Sequence, residues 1–247
     1  MTIVPRKGDG FRLVCNRDER RTRPPALAPR AHRLRRLTAT FPVDPLAGGT
    51  WIGVNARGLA MAILNRNVAA DGHRALSGPL RTSRSTIIPA LLDYGTLEEA
   101  LAVGRTLAPS RFAPFRLVAV QGSRVSAIVS DGRALSSNHW AIDRPLLFTS
   151  SSLGDALVDA PRRRAFAGLV LQSRDAWLGG QALFHRARSP EQPELGVVMC
   201  RQDAATVSRT VVDVDGEAIA VEYEPIPLRD HSVPPRSSSE AVAAVVT

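Results

Sequence analysis

The 247-residue sequence has few of the residues on which several large classes of protein depend. Its two cysteines, Cys15 and Cys200, lie in separate apolar runs, without the spacing or the neighbouring histidine that a metal site needs. The five histidines form no HxxH or HExxH group. No apolar run reaches the roughly 18 residues of a membrane span, and the N-terminus lacks a signal-peptide pattern. These absences predict a cytoplasmic protein without a metal, a cofactor or a membrane span.

Lysine is almost missing as well. Lys7 is the only one, although lysine and arginine together number 32 and give a formal charge of +9. The arginines are dispersed, and aromatic residues make up only 5% of the chain, so few rings lie among them to stack on bases. The charge therefore does not indicate a nucleic-acid partner, and we expect a small-molecule ligand. The oligomeric state does not follow from the sequence.

Apolar runs and turn signals divide the chain into alternating pairs of strands and helices. A proline- and arginine-rich stretch over 20–49 is predicted to be irregular, and the polar tail over 228–247 is predicted to be disordered, which leaves one domain over 1–227. The order predicts an α+β fold of antiparallel sheets with helices on their outer faces, and a ferredoxin-like two-layer repeat is the alternative. Strands are predicted at about 10–15, 50–55, 58–65, 115–121, 124–130, 146–149, 196–201, 206–214 and 218–223, and helices at about 82–93, from 96, 162–171 and from 177.

The stretch Asn16–Arg17–Asp18–Glu19 concentrates four polar or charged side chains. It follows the apolar run Phe11–Cys15, a predicted strand, and it precedes an Arg-Pro-Pro sequence that opposes regular structure. We therefore expect it at the end of a strand. There it could orient an anion, hold an amine, or form ion pairs within a solvated turn.

Several motifs, in this order and spacing, resemble the NRDE family, also called the transport and Golgi organisation two family. The resemblance extends to about Tyr223. It implies the fold of N-terminal nucleophile hydrolases, a four-layer αββα sandwich of two antiparallel sheets, and cleavage of a small amide or acyl bond. In such enzymes an N-terminal Cys, Ser or Thr attacks the carbonyl carbon, and its own α-amine acts as the base. The matching motifs are Asn16–Glu19, Gly48–Gly49–Thr50–Trp51–Ile52–Gly53, Leu64–Asn65 and Ser83–Arg84, with weaker matches at 159–161 and 208–210.

The resemblance also implies roles for individual residues. Asp18 would hold the α-amine, Arg17 would steady the nucleophile or a substrate carboxylate, and Asn65 would donate to the oxyanion. A turn-forming role for Asn65 and a surface position for Arg209 stay open as alternatives. The candidates for substrate binding are Asn16 and Glu19 as supports of Arg17, Trp51 as a pocket wall, Arg209 as a second cation, and Arg84 and Asp155.

Two positions depart from the pattern of this family. The family has a cysteine directly after the initiator methionine, where this sequence has Thr2. Either Thr2 is the nucleophile once Met1 is removed, or Met-Cys-Thr-Val precedes Thr2 in the gene and a GTG valine codon has been read as Met1. The second explanation is preferred, and the chain beginning at Met1 would then lack its nucleophile. Asp155 lies near the usual place of an asparagine, and an ionised carboxylate cannot donate to an oxyanion.

A non-catalytic carrier is the alternative function. Proteins similar to this one have been linked to haem or lipid handling. A hydrolase-like pocket lined with arginines such as Arg17 could hold a propionate or an acyl-phosphate group by bidentate pairing.

Overall fold

The computed structural model describes residues 1–67 and 82–228, so the predicted disorder of the tail beyond residue 228 lies outside the described residues. The described residues form twelve strands and four α-helices. The strands are β1 (Thr2–Pro5), β2 (Phe11–Arg20), β3 (Leu27–Arg33), β4 (Thr38–Val43), β5 (Ile52–Asn55), β6 (Ala60–Asn65), β7 (Phe115–Gln121), β8 (Arg124–Ser130), β9 (Leu135–Ala141), β10 (Leu146–Leu147), β11 (Ala204–Asp215) and β12 (Ala218–Pro225). The helices are α1 (Ile87–Leu91), α2 (Leu97–Gly104), α3 (Asp155–Leu169) and α4 (Trp177–Phe184).

The strands form two antiparallel sheets. One has five strands in the order β10-β1-β2-β11-β12, and the other has seven in the order β3-β4-β5-β6-β7-β8-β9. Because successive side chains of a strand point to opposite faces, alternate residues such as Ile3, Leu13, Val118 and Val125 form a core between the two sheets.

Helices cover the outer face of each sheet. Ile88 of α1 and Leu101 of α2 pack against Leu117 on the seven-stranded sheet. On the other side, Phe166 of α3 and Phe184 of α4 pack against Val4 of the five-stranded sheet. The architecture is the expected four-layer αββα sandwich, and the ferredoxin-like alternative is excluded because that fold has a single sheet. No helix among the described residues is long and apolar enough to cross a bilayer.

The prediction of an irregular stretch over 20–49 is wrong. Strands β3 and β4 form there and extend the seven-stranded sheet. Pro29 fits because β3 is an edge strand, where one side of the backbone has no neighbouring strand to pair with. Pro42 fits because β4 pairs with β5 only through Ala39 and Thr40. Edge pairing therefore outweighs the proline signal.

Strand β2 is longer than predicted, and this changes the setting of Asn16–Glu19. These residues lie inside the strand rather than at its end, because β11 pairs with β2 as far as Arg20. The predicted strand over 196–201 is absent, and its only bridge in this part of the structure joins Cys200 to Ala205. The edge strand β9 was not predicted, since its residues are polar and exposed.

Helix α3 begins earlier than predicted. It starts at Asp155, so Asp159 does not cap it and Pro161 lies inside it rather than in its first turn. A proline in that position removes one backbone hydrogen bond. The buried side chains of α3 are Val158, Arg162 and Phe166, spaced four residues apart, and their packing holds the helix together across the proline.

The contact between α3 and α4 depends on Gly180. A Cβ atom at this position would lie 2.0 Å from the carbonyl oxygen of Leu169, whereas a Cβ at Gly179 would meet nothing within 4 Å. We therefore expect Gly180→Ala to lower the free energy of unfolding by about 2 kcal/mol. Gly179→Ala should leave it unchanged or raise it by up to about 1 kcal/mol. Urea denaturation followed by circular dichroism tests this pair, and equal effects of the two changes would contradict the packing.

Candidate active site

The first residue of the chain is fixed at the start of β1, beside the edge strand β10. The Met1 α-amine donates a hydrogen bond to the Phe148 carbonyl oxygen at 3.1 Å, and the Met1 carbonyl oxygen accepts one from the Phe148 amide at 2.9 Å. Burial lowers the pKa of the α-amine, Cys15 and Asp18 oppose this, and Arg162 adds to it. The amine is therefore neutral over more of the pH range than an exposed one, as a base requires.

Asp18 lies within electrostatic range of this amine. Its carboxylate accepts a hydrogen bond from the Thr206 hydroxyl at 2.5 Å. Asp18 keeps contact with solvent, yet the protein packed around its carboxylate raises its pKa, because desolvation outweighs the opposing effects of Arg162 and Thr206. The Met1 amine and the Asp18 carboxylate, which the family resemblance predicts to interact, therefore lie in one electrostatic cluster.

Arg162 completes this cluster and was not identified from the sequence. It is buried on α3 and donates hydrogen bonds to the carbonyl oxygens of Ser150, Leu195 and Gly196 at 3.0, 3.2 and 2.9 Å. Both Asp18 and Asp155 act on its pKa, which burial lowers. A signal was present, because Arg162 lies four residues from Val158 and from Phe166, on the apolar face of the helix.

Asn65 reaches the cluster through Ser150. The Ser150 hydroxyl donates to the Asn65 carbonyl oxygen at 2.6 Å, and the Ser150 carbonyl oxygen accepts from Arg162. The Asn65 residue itself is exposed at the end of β6. Its side-chain amide makes no hydrogen bond within residues 1–67 and 82–228, and Ser150 and Arg162 lie between Asn65 and Asp18.

Asp155 and Arg84 lie beside the end of β6. The Asp155 carboxylate accepts hydrogen bonds from the backbone amides of Ser151 at 2.9 Å and Asn67 at 3.2 Å, so it organises the loop rather than facing Asp18. Arg84 donates to the carbonyl oxygen of Pro114 at 2.8 Å. The structure places both residues near Asn65 and brings neither into contact with the Met1 amine.

Arg17 faces the other side of β2, towards the space between the sheets. It is buried, it donates to the Asp44 carboxylate at 2.9 Å, and its guanidinium lies 4.5 Å from the centre of the Trp51 ring. Glu19 contacts it at 3.4 Å, and Arg23 binds the same Asp44 at 2.7 Å. Arg17 is thus a member of a closed ion-pair network, and Asp44 is the member that sequence analysis missed.

Asp44 also explains the glycine-rich motif that follows it. The Gly48 amide donates to the Asp44 carbonyl oxygen at 2.8 Å, and the Asp44 amide donates to the Gly49 carbonyl oxygen at 2.8 Å. Gly48 has a φ of 69°, and a Cβ at Gly49 would lie 2.3 Å from the Ser85 carbonyl oxygen. The motif forms a tight loop that no larger side chain would allow, and this loop presents Asp44 to Arg17.

Thr2 takes part in a buried hydrogen-bond relay under α4. His185 Nδ1 lies 3.0 Å from Asn16 Oδ1, and His185 Nε2 lies 2.8 Å from the Thr2 hydroxyl. Because the Asn16 amide nitrogen already donates to the carbonyl oxygens of His185 and Val197, Asn16 Oδ1 is the acceptor. The imidazole therefore carries its proton on Nδ1, and the Thr2 hydroxyl donates to Nε2.

This relay separates three candidates from the cluster around Asp18. Thr2 is 0% exposed, and its hydroxyl also accepts from Gln181 at 2.8 Å, so the position is closed to a substrate. Asn16 supports His185 rather than Arg17. Arg209 is buried, binds the His185 carbonyl oxygen at 3.1 Å and pairs with Glu224, so it is not a second cation beside Arg17. His185 and Gln181 carry no sequence signal beyond their helix, and only tertiary contacts identify them.

Comparison with solved structures finds the same fold in an amidase ortholog and in an acylase. One match is the Caenorhabditis elegans N-acylethanolamine-hydrolyzing acid amidase ortholog, with 14% identity, a TM-score of 0.58 and coverage of 85% of this chain and 90% of that one. Another is penicillin V acylase from Agrobacterium tumefaciens, with 14% identity, a TM-score of 0.51 and coverage of 92% and 86%. At this identity the likeness establishes the fold alone. No curated protein matches the sequence.

The family is established independently of the fold. The model of the family "Transport and Golgi organisation 2" matches residues 4–164, which is more than half of the chain. The chain belongs to this family, as the resemblance of its motifs implies. The matched region includes Asn16–Glu19, Trp51 and Asn65 and ends within α3.

Burial of the relay makes the stability of the protein depend on the charge of His185. Burial lowers the pKa of His185 well below its ordinary value, with the Met1 amine and Arg209 as further causes. The unfolded chain, with a histidine pKa of about 6.5, then binds the proton more strongly, so stability is lost as the pH falls below about 6.5. Between pH 7.5 and 5.5 we expect wild type to lose about 1 kcal/mol more than His185→Gln.

Urea denaturation at the two pH values measures this difference. His139→Gln is the matched control, because His139 is exposed on β9. A pH dependence that is identical in wild type and His185→Gln would contradict the neutral, buried relay.

Proposed function

We propose that this chain is an N-terminal nucleophile-type hydrolase that cleaves a small amide or acyl bond in the cytoplasm. The observation that carries the proposal is the α-amine at the head of β1, whose pKa burial lowers and which lies within electrostatic range of Asp18 and Arg162. Because Thr2 pairs with Val14, a chain longer by two residues would continue β1 to a position opposite Arg17 and next to Asp18. There the α-amine of its first residue can accept the proton of a nucleophile on that same residue. The fold shared with an amidase and an acylase supports the same chemistry.

The nucleophile we propose is a cysteine ahead of Thr2. Met1 and Ile3 face the core between the sheets, whereas Thr2 faces α4. Alternation of side chains puts a cysteine two residues before Met1 on the same face as Met1 and Cys15. Cys15 is itself a poor candidate, because it is 1% exposed and burial raises its pKa.

The residues around the amine have separate proposed roles. Asp18 orients the protonated amine and stabilises it after proton transfer. The exposed Asn65 amide donates to the oxyanion, a contact of a kind that contributes roughly 3 kcal/mol where one has been removed from an enzyme. Arg17, which Asp44 and Trp51 hold in place, lies on the same face of the sheet as the proposed cysteine and steadies it. Glu19 supports Arg17.

The carrier alternative receives less support from the contacts of Arg17. The proposed ligand would need its guanidinium, which already binds Asp44 and stacks on Trp51. A ligand carboxylate at this position would have to displace a buried acidic group. Saturable binding of haemin or acyl-CoA that disappears in Arg17→Ala, in a protein without turnover, would favour the carrier over the hydrolase.

The nucleophile and Asp18 can be tested in one assay. We expect a chain in which Met-Cys-Thr-Val replaces Met1 to hydrolyse members of an amide panel and to react with a cysteine-directed electrophile at its N-terminus. In that chain Asp18→Asn should lower kcat/KM by at least about 100-fold, since the amine loses its partner. Asp9→Asn is the control and should leave kcat/KM unchanged, because Asp9 lies on the exposed turn between β1 and β2, far from Asp18.

Mass spectrometry identifies the labelled residue, and circular dichroism shows that the variants are folded. Full turnover in Asp18→Asn, or labelling only at Cys15 or Cys200, would overturn the site. Mass spectrometry of the N-terminus of the native protein then decides which form exists in the cell.

The electrostatic coupling of Asp18 to the amine has its own test. In the chain that begins at Met1, we expect the α-amine to reach half of its maximal acylation rate below pH 8.0, its ordinary pKa. Asp18→Asn should lower this midpoint further, because the carboxylate raises the pKa of the amine. Competitive acylation read by mass spectrometry measures it, with Lys7 as the internal reference. A midpoint that does not move in Asp18→Asn would contradict the coupling.

A further inference from the structure

The two sheets differ in width, and part of the inner face of the wider sheet is left uncovered. Strand β10 is the edge of the five-stranded sheet, whereas the seven-stranded sheet continues through β8 to β9. Beyond β10 a cavity of about 670 Å³ lies between β7, β9, β10 and the first turns of α3. This volume lies within the range of roughly 300–1,000 Å³ that is typical of small-molecule sites.

One end of the cavity is cationic. Arg116 of β7 is half-buried, and burial lowers its pKa. Its guanidinium makes one hydrogen bond within the described part of the chain, to the Thr149 carbonyl oxygen at 3.5 Å. A guanidinium has five N–H donors, so most of those of Arg116 lack a protein acceptor there. Arg144, in the connection from β9 to β10, lines the same cavity and is exposed.

The acidic residues of the cavity, Asp155 and Asp159, raise the pKa of Arg116 against the effect of burial, but within the described residues neither forms a direct ion pair with it. Asp159 pairs with Arg163 at 2.6 Å and accepts from the Thr149 hydroxyl at 2.9 Å. Asp155 accepts from the backbone amides at the start of α3 and the end of β6. Because neither carboxylate contacts Arg116 directly in the described part of the chain, the partly desolvated guanidinium keeps donors with which it can bind an anion from outside.

The opposite end of the cavity is aromatic and apolar. Trp140 is 37% exposed, and its ring meets that of Phe148 edge to face at 5.5 Å. Phe166 and the exposed Leu171 form the wall on the side of α3. An exposed tryptophan in a concave surface indicates a contact for the apolar body of a ligand.

Strand register gives the distance between the two ends. Arg116 pairs with Val129, which pairs with Ser136 of β9, and Trp140 lies four residues further along β9. At about 3.3 Å per residue, the backbone positions of Arg116 and Trp140 are about 13 Å apart along the strand direction. The cavity therefore fits an elongated molecule with an anion at one end and an apolar body.

We propose that this cavity binds an amphipathic carboxylate, with the carboxylate on Arg116 and the apolar chain against Trp140 and Phe148. The Phe148 carbonyl oxygen also holds the Met1 amine, so the ligand lies beside the candidate active site. The binding itself is independent of catalysis. Only the further assignment, that the bound molecule is the acyl side of the substrate or its product, rests on the proposed function.

Calorimetric titration with decanoate tests the binding, and decanol and hexanoate are the comparison ligands. We expect decanoate to bind at least tenfold more tightly than decanol, because the charge-assisted pairing with arginine is lost in the alcohol. Hexanoate should also bind at least tenfold more weakly than decanoate, because each buried CH₂ adds to affinity. Equal affinities of decanoate and decanol would refute the role of the cation.

Two variants locate the ligand. Arg116→Gln should remove the preference for decanoate over decanol. Trp140→Ala should weaken the binding of both ligands at least tenfold. Arg124→Gln is the matched control, because Arg124 lies on the other face of the same sheet, where it pairs with Glu98. Thermal unfolding confirms that each variant is folded. Unchanged decanoate binding in both Arg116→Gln and Trp140→Ala, or no saturable binding in wild type, would overturn the proposal.

This outcome is distinguishable from a failure of the proposed function. Selective binding of decanoate in a protein that hydrolyses no amide would leave the cavity assignment standing and remove the hydrolase. Hydrolysis of an amide by a protein that does not prefer decanoate to decanol would support the hydrolase and remove the cavity assignment.

Discussion

The alternation of side chains along β2 is the constraint on which the candidate site depends. Because β2 pairs with β1 on one side and β11 on the other, successive residues must point to opposite faces of the sheet. Arg17 and Glu19 therefore face the space between the sheets, and Asn16 and Asp18 face the layer of α3 and α4. The four consecutive polar residues therefore take part in two separate sets of contacts, one on each face of the sheet.

Each face of β2 has a distinct physical task. On the inner face, Arg17 and Asp44 form a buried ion pair that ties β2 to the loop before β5. Removing one partner of such a pair leaves an uncompensated buried charge, which makes the pair a strong determinant of that loop. On the outer face, Asp18 and Arg162 set the electrostatic environment of the Met1 amine, while Asn16 fixes the tautomer of His185. The position of the first residue is thereby controlled through both sheet pairing and the α4 relay.

Part of this organisation could be predicted from the sequence. The order of strand and helix pairs, together with the family motifs, predicts the four layers, because periodicity and turn residues act locally. The extra strands β3, β4 and β9 could not be predicted in this way. They lie at or near the edges of the wider sheet, where pairing with a neighbour outweighs proline and polar composition. The role of Thr2 likewise depends on Gln181 and His185, which are more than 170 residues away.

The sequence by itself determined the fold class, the family and the residues that carry charge near the head of the chain, since these follow from local pattern and motif. Only the tertiary structure decided which of those residues face one another. It places Arg17 with Asp44, Asp18 with Arg162, Thr2 with His185 and Arg116 beside an open aromatic cavity. The physical reason is that a strand's register, rather than its composition, decides which face a side chain occupies, and register is fixed by long-range pairing.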